Sequence, residues 1–218
     1  MRNWWKILAI LLLLYTVIGG FFVDVPRQVI LYESIRNLYF HVPMWFSMIF
    51  LFMLSVYYSV KTLNKGKMKE DRKAVELVNV GIVFGVLGTL TGSLWAKFTW
   101  GAWWTNDVKL NGAAISMLIY FAYLILRGSI EEEEKKARIS AVYNIFAFVL
   151  LIVFIGILPR MTDSLHPGNG GNPGFNNYDL DNNMKLVFYP AVLAWILLGM
   201  WIFNLRFRMR QIRSKLHR

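Results

Sequence analysis

Trp95-Ala96-Lys97-Phe98-Thr99-Trp100-Gly101-Ala102-Trp103-Trp104-Thr105-Asn106-Asp107 stands between two long apolar runs, and its reading decides how those runs are arranged. It holds four of the nine tryptophans, a glycine near its middle and an acid at its end. An indole has a large flat face and one N–H donor, which suits a boundary between hydrocarbon and water or a flat apolar ligand. Belt tryptophans are scattered along both membrane surfaces. Indoles packed around a glycine, leading out of one apolar run and into the next, read instead as an amphipathic hairpin lying on the surface.

Outward from this hairpin the apolar runs repeat. Of 218 residues, 56% are hydrophobic and only 17% are charged, against about half and about a quarter in soluble domains. A membrane span needs roughly 20 mostly apolar residues. Six segments qualify: Trp4–Val23, Leu38–Val60, Val75–Trp95, Asn111–Leu126, Ile139–Leu158 and Lys185–Phe207. The expected fold is an all-α membrane protein of six transmembrane helices, one polytopic unit over residues 1–218. Arg2 and Lys6 ahead of Ile7–Val23 resemble a signal peptide. The run is longer than a signal's apolar core and has no small-residue cleavage site before Asp24, so a retained first span is expected. Gly81, Gly85, Gly88 and Gly92 form a small-residue stripe in the third span, a seam for close helix packing.

Charge sets the expected orientation. Eighteen of the 24 Lys and Arg residues fall at the two termini and in the loops after spans two and four. Six, namely Arg27, Arg36, Lys97, Lys109, Arg160 and Lys185, fall on the other side. The positive-inside rule then puts both termini in the cytoplasm and the Trp95–Asp107 segment on the outer face, between helices 3 and 4. The outer loop of about 159–184 is rich in Gly, Asn and Pro and reads as irregular. The basic tail Arg206–Arg218 reads as an anchor on anionic lipid, so the net charge of +11 points to the bilayer and not to nucleic acid. Glu131–Glu134 reads as a solvated turn or helix start.

Several chemistries are disfavoured. The absence of cysteine removes disulfides, thiolate metal sites and thiol catalysis. No Ser–His–acid set, phosphate loop or intramembrane carboxylate pair is present, so no enzyme is expected. The spans hold almost no interior charge, against the habit of ion pumps and proton-coupled carriers.

The chain has three histidines. His217 lies in the basic tail and reads as solvated. His41, in Tyr-Phe-His-Val-Pro, falls at the outer start of span two, and His166, in Ser-Leu-His-Pro-Gly, in the outer loop before span six. A lone interfacial histidine is usually a hydrogen-bonded boundary residue. Two histidines do not close a zinc site, but they suit the two axial positions of a haem iron. Haem also offers a broad apolar face to tryptophans and two propionates to bases such as Arg36, Arg160, Lys97 or Lys109. Asp107 reads as the N-cap of span four. Pro43 is expected in the first turn of span two, where proline is tolerated, and Tyr39 and Arg36 within reach of the His41 face. Trp4, Trp5 and Trp45 read as belt residues.

The segment Gly92–Asp107 resembles the tryptophan-rich WWD signature of the haem-handling proteins of cytochrome c maturation. Arg36–Pro43 and Ser164–Gly168 resemble that family's motifs before the second and sixth spans. Within it the chain is similar to the six-span cytochrome c maturation protein C. The resemblance implies haem b on the outer face of the bacterial plasma membrane, with His41 and His166 as axial ligands. It implies a platform from Trp95, Trp100, Gly101, Trp103, Trp104 and Asp107, with Arg36 and Lys109 as propionate partners. It also implies delivery to a membrane-tethered haem chaperone on the periplasmic side, beside ABC-type transporter subunits and a small single-span subunit. The chain departs from the pattern at Asn106, usually tryptophan, at Lys109, usually arginine, and at Asn111, usually threonine. Lys109 keeps the charge but loses the bidentate fork. The alternatives are the WWD-type haem exporter core of the single-system pathway, a small-solute transporter with an ordinary belt, and the membrane cytochrome subunit of a quinone-linked oxidoreductase.

Overall fold

The fold is taken from a computed structural model, which describes residues 3–26, 31–166 and 180–216. The expectations for Arg2, Arg27, His217, Arg218 and the middle of the outer loop, 167–179, lie outside the described residues. In chain order the helices are α1 (Trp4–Phe22), α2 (Leu38–Lys65), α3 (Met68–Trp100), α4 (Val108–Gly128), α5 (Glu133–Leu151), α6 (Leu158–Met161) and α7 (Asn182–Leu216). A 3-10 turn, Tyr32–Asn37, leads into α2, and a π-helical stretch, Ile152–Ile157, joins α5 to α6. Among the described residues there is no strand, and six helical stretches are long and apolar enough to cross a membrane.

Apart from α1, which stops one residue short of Val23, the helices outrun the expected spans because local signals at their ends extend them. Gly66 (φ 62°) closes α2 in the left-handed conformation, its N–H bonded to the Thr62 carbonyl. Glu70 and Asp71 favour the first turn of α3, and Glu133 and Glu134 that of α5. The fourth span, expected at Asn111–Leu126, runs for 21 residues, because Asp107 caps it one turn earlier. Pro43 sits in the second turn of α2 and not the first, since the helix already begins at Leu38.

The Gly81–Gly92 stripe is the seam of the bundle. A Cβ at Gly81 would meet the Phe52 ring at 2.4 Å, one at Gly85 the Met117 and Met48 sulfurs, and one at Gly88 the Trp45 indole at 2.9 Å. With no side chain of their own, these glycines let large side chains of α2 seat directly against the α3 backbone. Trp45 thereby packs against α3 and is partly buried. Phe52 stacks on Tyr120 at 3.7 Å between centroids. Deeper in, Asn144 of α5 donates to Ser55 and Ser59 of α2, both at 2.9 Å, satisfying three buried polar groups together. At the end where α1 starts and α7 stops, Arg127 makes a two-pronged pair with Asp71 (2.8 and 2.6 Å), and Glu76 accepts from Arg206 and Arg210. The opposite end carries His41, the tryptophan segment and His166.

Candidate functional site

The Trp95–Asp107 segment has two parts. Trp95–Trp100 are the last turns of α3, and Gly101 (φ 78°) ends the helix in a conformation that L side chains rarely adopt. Ala102–Asn106 then fold back as a short loop instead of a separate amphipathic element. The loop is tied to α3 by Ser93 Oγ, which donates to the Trp103 carbonyl (2.6 Å), and by Lys97 Nζ, which donates to that of Gly101 (2.9 Å). Asp107 begins α4 and accepts the Lys109 and Leu110 N–H groups on Oδ1 at 2.9 and 3.4 Å, as an N-cap does.

Asp107 does more than cap. Its Oδ2 accepts from Ser164 Oγ (2.8 Å) and the Leu165 N–H (2.7 Å), and its Oδ1 lies 3.0 Å from His166 Nδ1. The loop ahead of α7 is thus pinned to the start of α4. Burial alone would raise the Asp107 carboxyl, but the donors from His166, Leu165 and Ser164 prevail and hold it well below the usual carboxylate range. An ionised acceptor takes the Nδ1 proton of His166, so Nε2 is the nitrogen left to face a ligand. The Trp100 indole meets the imidazole edge-on at 4.8 Å.

His41 enters from α2. Its ring rests on Gly92, where a Cβ would stand 2.5 Å from Cε1, so the last glycine of the seam is also the seat of this histidine. Nδ1 lies 3.2 Å from Thr91 Oγ1, whose own hydroxyl is directed to the Leu87 and Gly88 carbonyls. The threonine oxygen therefore accepts from Nδ1–H, and Nε2 is again the remaining nitrogen. Trp95 meets this ring edge-on at 5.9 Å and donates its indole N–H to Ser34 Oγ at 3.1 Å. The end of α3 thus carries one indole beside each histidine.

Trp103 and Trp104 are 56% and 41% exposed. Trp104 donates to Asn111 Oδ1 (3.2 Å), and Asn111 donates to Asn106 Oδ1 (2.7 Å). The two asparagines at which the chain departs from the family pattern are therefore partners of each other. Lys109 lies in the first turn of α4, partly buried.

The structure moves two neighbours of His41 away from it. The Arg36 guanidinium binds the Gly20 and Val23 carbonyls at the end of α1 (3.1 and 2.6 Å) and pairs with Glu33. Tyr39 is fully buried in a cluster with Leu180, Met184 and Val187 of the α7 side. Positions two apart on a helix point to nearly opposite faces, so Tyr39 cannot share the face of His41. Ser93 and Ser164 fall inside the segments Gly92–Asp107 and Ser164–Gly168, and Thr91 and Ser34 are the site residues that the sequence did not single out. Only the position of Thr91 beside Gly92 offered a signal. Among the described residues no group of three or more His, Asp or Glu side chains gathers as for a bare metal ion.

A family model described as CcmC, heme exporter protein C, matches residues 1–218. The chain belongs to this family. Among curated relatives, "Heme exporter protein C" of Bradyrhizobium diazoefficiens is 29% identical over 119 residues, covering 54% of this chain and 45% of the relative. "Cytochrome c biogenesis protein CcsA" of Prochlorococcus marinus is 36% identical over 87 residues, covering 40% of this chain and 27% of the relative. The CcsA of Prochlorococcus marinus subsp. pastoris is 38% identical over a stretch of the same length. The chain thus spans under half the length of the curated relatives it matches. Its six apolar helices make this CcmC-family chain a multi-pass membrane protein.

Proposed function

We propose that this CcmC-family chain binds haem b between His41 and His166 and presents it for cytochrome c maturation. One observation carries this reading: the two imidazoles at this end of the bundle each have Nδ1 bonded to an acceptor, which leaves Nε2 for an axial bond. The carboxylate–imidazole pair of Asp107 and His166 is the kind of outer-shell contact that fixes tautomer and ring direction in metal-ligating histidines. Trp95 and Trp100 flank the two rings, and Trp103 and Trp104 offer exposed apolar faces. Gly101 lets the loop turn back so that these faces lie close to the helix end. Lys109 is the propionate partner we favour, since the Arg36 fork is directed at the end of α1.

Bound haem would supply a redox-active iron and a planar apolar face. The protein's own part is to hold, orient and release, and we assign no catalytic side chain. We place the site on the periplasmic face of a bacterial plasma membrane, since the basic loops and tail belong on the cytoplasmic side. Residues 1–218 act as one polytopic unit beside ABC-type transporter subunits and a small single-span subunit, and a membrane-tethered haem chaperone takes the cargo. The core of the single-system exporters is the lesser reading, because the CcsA matches cover 87 residues and the CcmC model covers the whole chain.

The test is the absorption spectrum of the purified protein from haem-replete cells. A bis-histidine haem spectrum is expected, lost when His41 and His166 are both replaced by alanine. A haem-free preparation, or a spectrum indifferent to both replacements, would refute the reading.

A further inference from the structure

At the end of the bundle away from the histidines, α1 and α7 line a partly open cavity of about 300 Å³. Its walls include Trp5 and Lys6 from the first turn of α1, and Leu197, Trp201, Asn204 and Arg208 from α7. These four α7 residues fall at spacings of four, three and four, and Met200 and Leu205, which also line the cavity, lie beside them on the same stripe of the helix. The stripe is graded. Leu197 is apolar, Trp201 is amphipathic, Asn204 is polar and Arg208 is charged. The α1 wall repeats the grading on a smaller scale, with Trp5 beside Lys6.

Three features narrow what the cavity takes. No carboxylate lines it, while two cations do. Among the described residues neither Lys6 nor Arg208 is in an ion pair, whereas nearby Arg206 and Arg210 both serve Glu76. The Lys6 ammonium is held over the Trp201 and Trp5 rings, 5.5 and 5.9 Å from their centroids, which fixes the charge at the cavity instead of leaving it to swing in solvent. Trp5 and Trp201 meet edge-to-face at 6.4 Å and make an apolar wall below the charges. The volume lies at the small end of ligand sites, enough for a headgroup and the first methylenes of a chain but not for a whole lipid.

We propose that this cavity is a binding site for an anionic glycerophospholipid. Lys6 and Arg208 hold the headgroup phosphate, Asn204 adds a polar contact, and the acyl chain descends over Trp5, Trp201 and Leu197. The site ties the start of α1 to α7, far from the histidines and independent of any haem.

The test uses the full chain in nanodiscs of phosphatidylcholine containing a minor share of phosphatidylglycerol. Native mass spectrometry counts the lipid that stays bound on release. The wild-type protein is expected to retain phosphatidylglycerol over phosphatidylcholine. The double variant Lys6→Gln/Arg208→Gln is expected to lose that preference by about 30-fold, about fivefold for each basic residue at an anionic surface. Brominated phosphatidylglycerol should quench tryptophan emission more than brominated phosphatidylcholine, and Trp5→Phe/Trp201→Phe should remove the excess. The charge-keeping variant Lys6→Arg/Arg208→Lys, with its helical circular dichroism unchanged, should retain the preference. Equal retention of the two lipids by the wild type, or an undiminished preference in the Gln variant, overturns the proposal. Displacement of the lipid by inorganic phosphate alone also overturns it, and would assign the cavity to a soluble phosphate ester.

Discussion

The carboxylate of Asp107 serves two segments at once: it caps α4 through the Lys109 and Leu110 N–H groups and holds His166 through Nδ1 at 3.0 Å. A single side chain therefore links the start of one membrane helix to the histidine of the loop ahead of another. Asp107→Asn separates the two duties. Asparagine caps a helix about as well as aspartate, so the helical content should hold. The neutral amide loses the charge that fixes the His166 proton on Nδ1, and outer-shell losses of this kind cost about 10- to 100-fold in affinity. Haem titration followed by absorbance, with circular dichroism as the fold control, checks this. An Asp107→Asn protein with wild-type affinity would remove the carboxylate from the site.

The same carboxylate sets a pH dependence. Its folded pKa lies below the unfolded value of about 3.9, so the stabilisation it brings is fully present above that value and is lost as pH falls through the folded pKa. The gap in thermal unfolding temperature between wild type and Asp107→Asn should stay constant from neutral pH down to about pH 5 and narrow only in stronger acid. A gap that closed between pH 7 and 5 would show that the Asp107 carboxylate is not its source.

Gly92 and Gly81 belong to one stripe but predict different phenotypes. A methyl at Gly81 drives into the Phe52 ring near the middle of α2, whereas one at Gly92 drives into the His41 imidazole. Gly81→Ala should destabilise the bundle by about 1–3 kcal/mol, the usual cost of overpacking, and leave the haem spectrum unchanged. Gly92→Ala should displace His41 and reduce haem retention with a smaller loss of thermal stability, because the ring lies near the end of the bundle and can yield. Parallel melts and spectra of the two proteins decide it.

Tryptophan, glycine and charge made much of this legible. The apolar runs announce six spans, the fourth of them shorter than a full crossing until Asp107 extends it, and the glycine stripe announces a seam. The ends were harder to read, because an N-cap such as Asp107 or a left-handed glycine such as Gly66 extends a helix beyond its apolar core. Asp107 could be named as a cap because capping is local. Its bond to His166, 59 residues away, depends on how the loop ahead of α7 returns to the start of α4, and no spacing rule contains that. Arg36 and Tyr39 were misplaced for a related reason. Closeness in sequence suggests a shared face, but the turn at Tyr32–Asn37 directs Arg36 to α1 while helical geometry directs Tyr39 to α7. The Asn106–Asn111 bond shows the opposite case, since each residue stood out in the sequence as a departure and only the structure makes them a pair.

The far end of the bundle gives a prediction that separates stability from the haem site. Arg127 and Asp71 are both nearly inaccessible, at 9% and 4% side-chain exposure, and their two-pronged contact joins α4 to α3. Desolvating two such ions offsets most of their attraction, so the intact pair adds little over well-packed apolar residues. Removing one partner is different, because the other is left charged and buried. Arg127→Met should therefore cost about 3–5 kcal/mol, and Asp71→Leu combined with Arg127→Met should recover most of that loss. The two residues lie at the opposite end of the bundle from His41 and His166, so the haem spectrum of whatever protein remains folded should match wild type in both variants. Detergent-solubilised thermal melts of the single and double variants measure the first effect, and absorbance of the folded fraction measures the second. A double variant as unstable as Arg127→Met alone would show that the ion pair itself, and not the stranded charge, holds this end together.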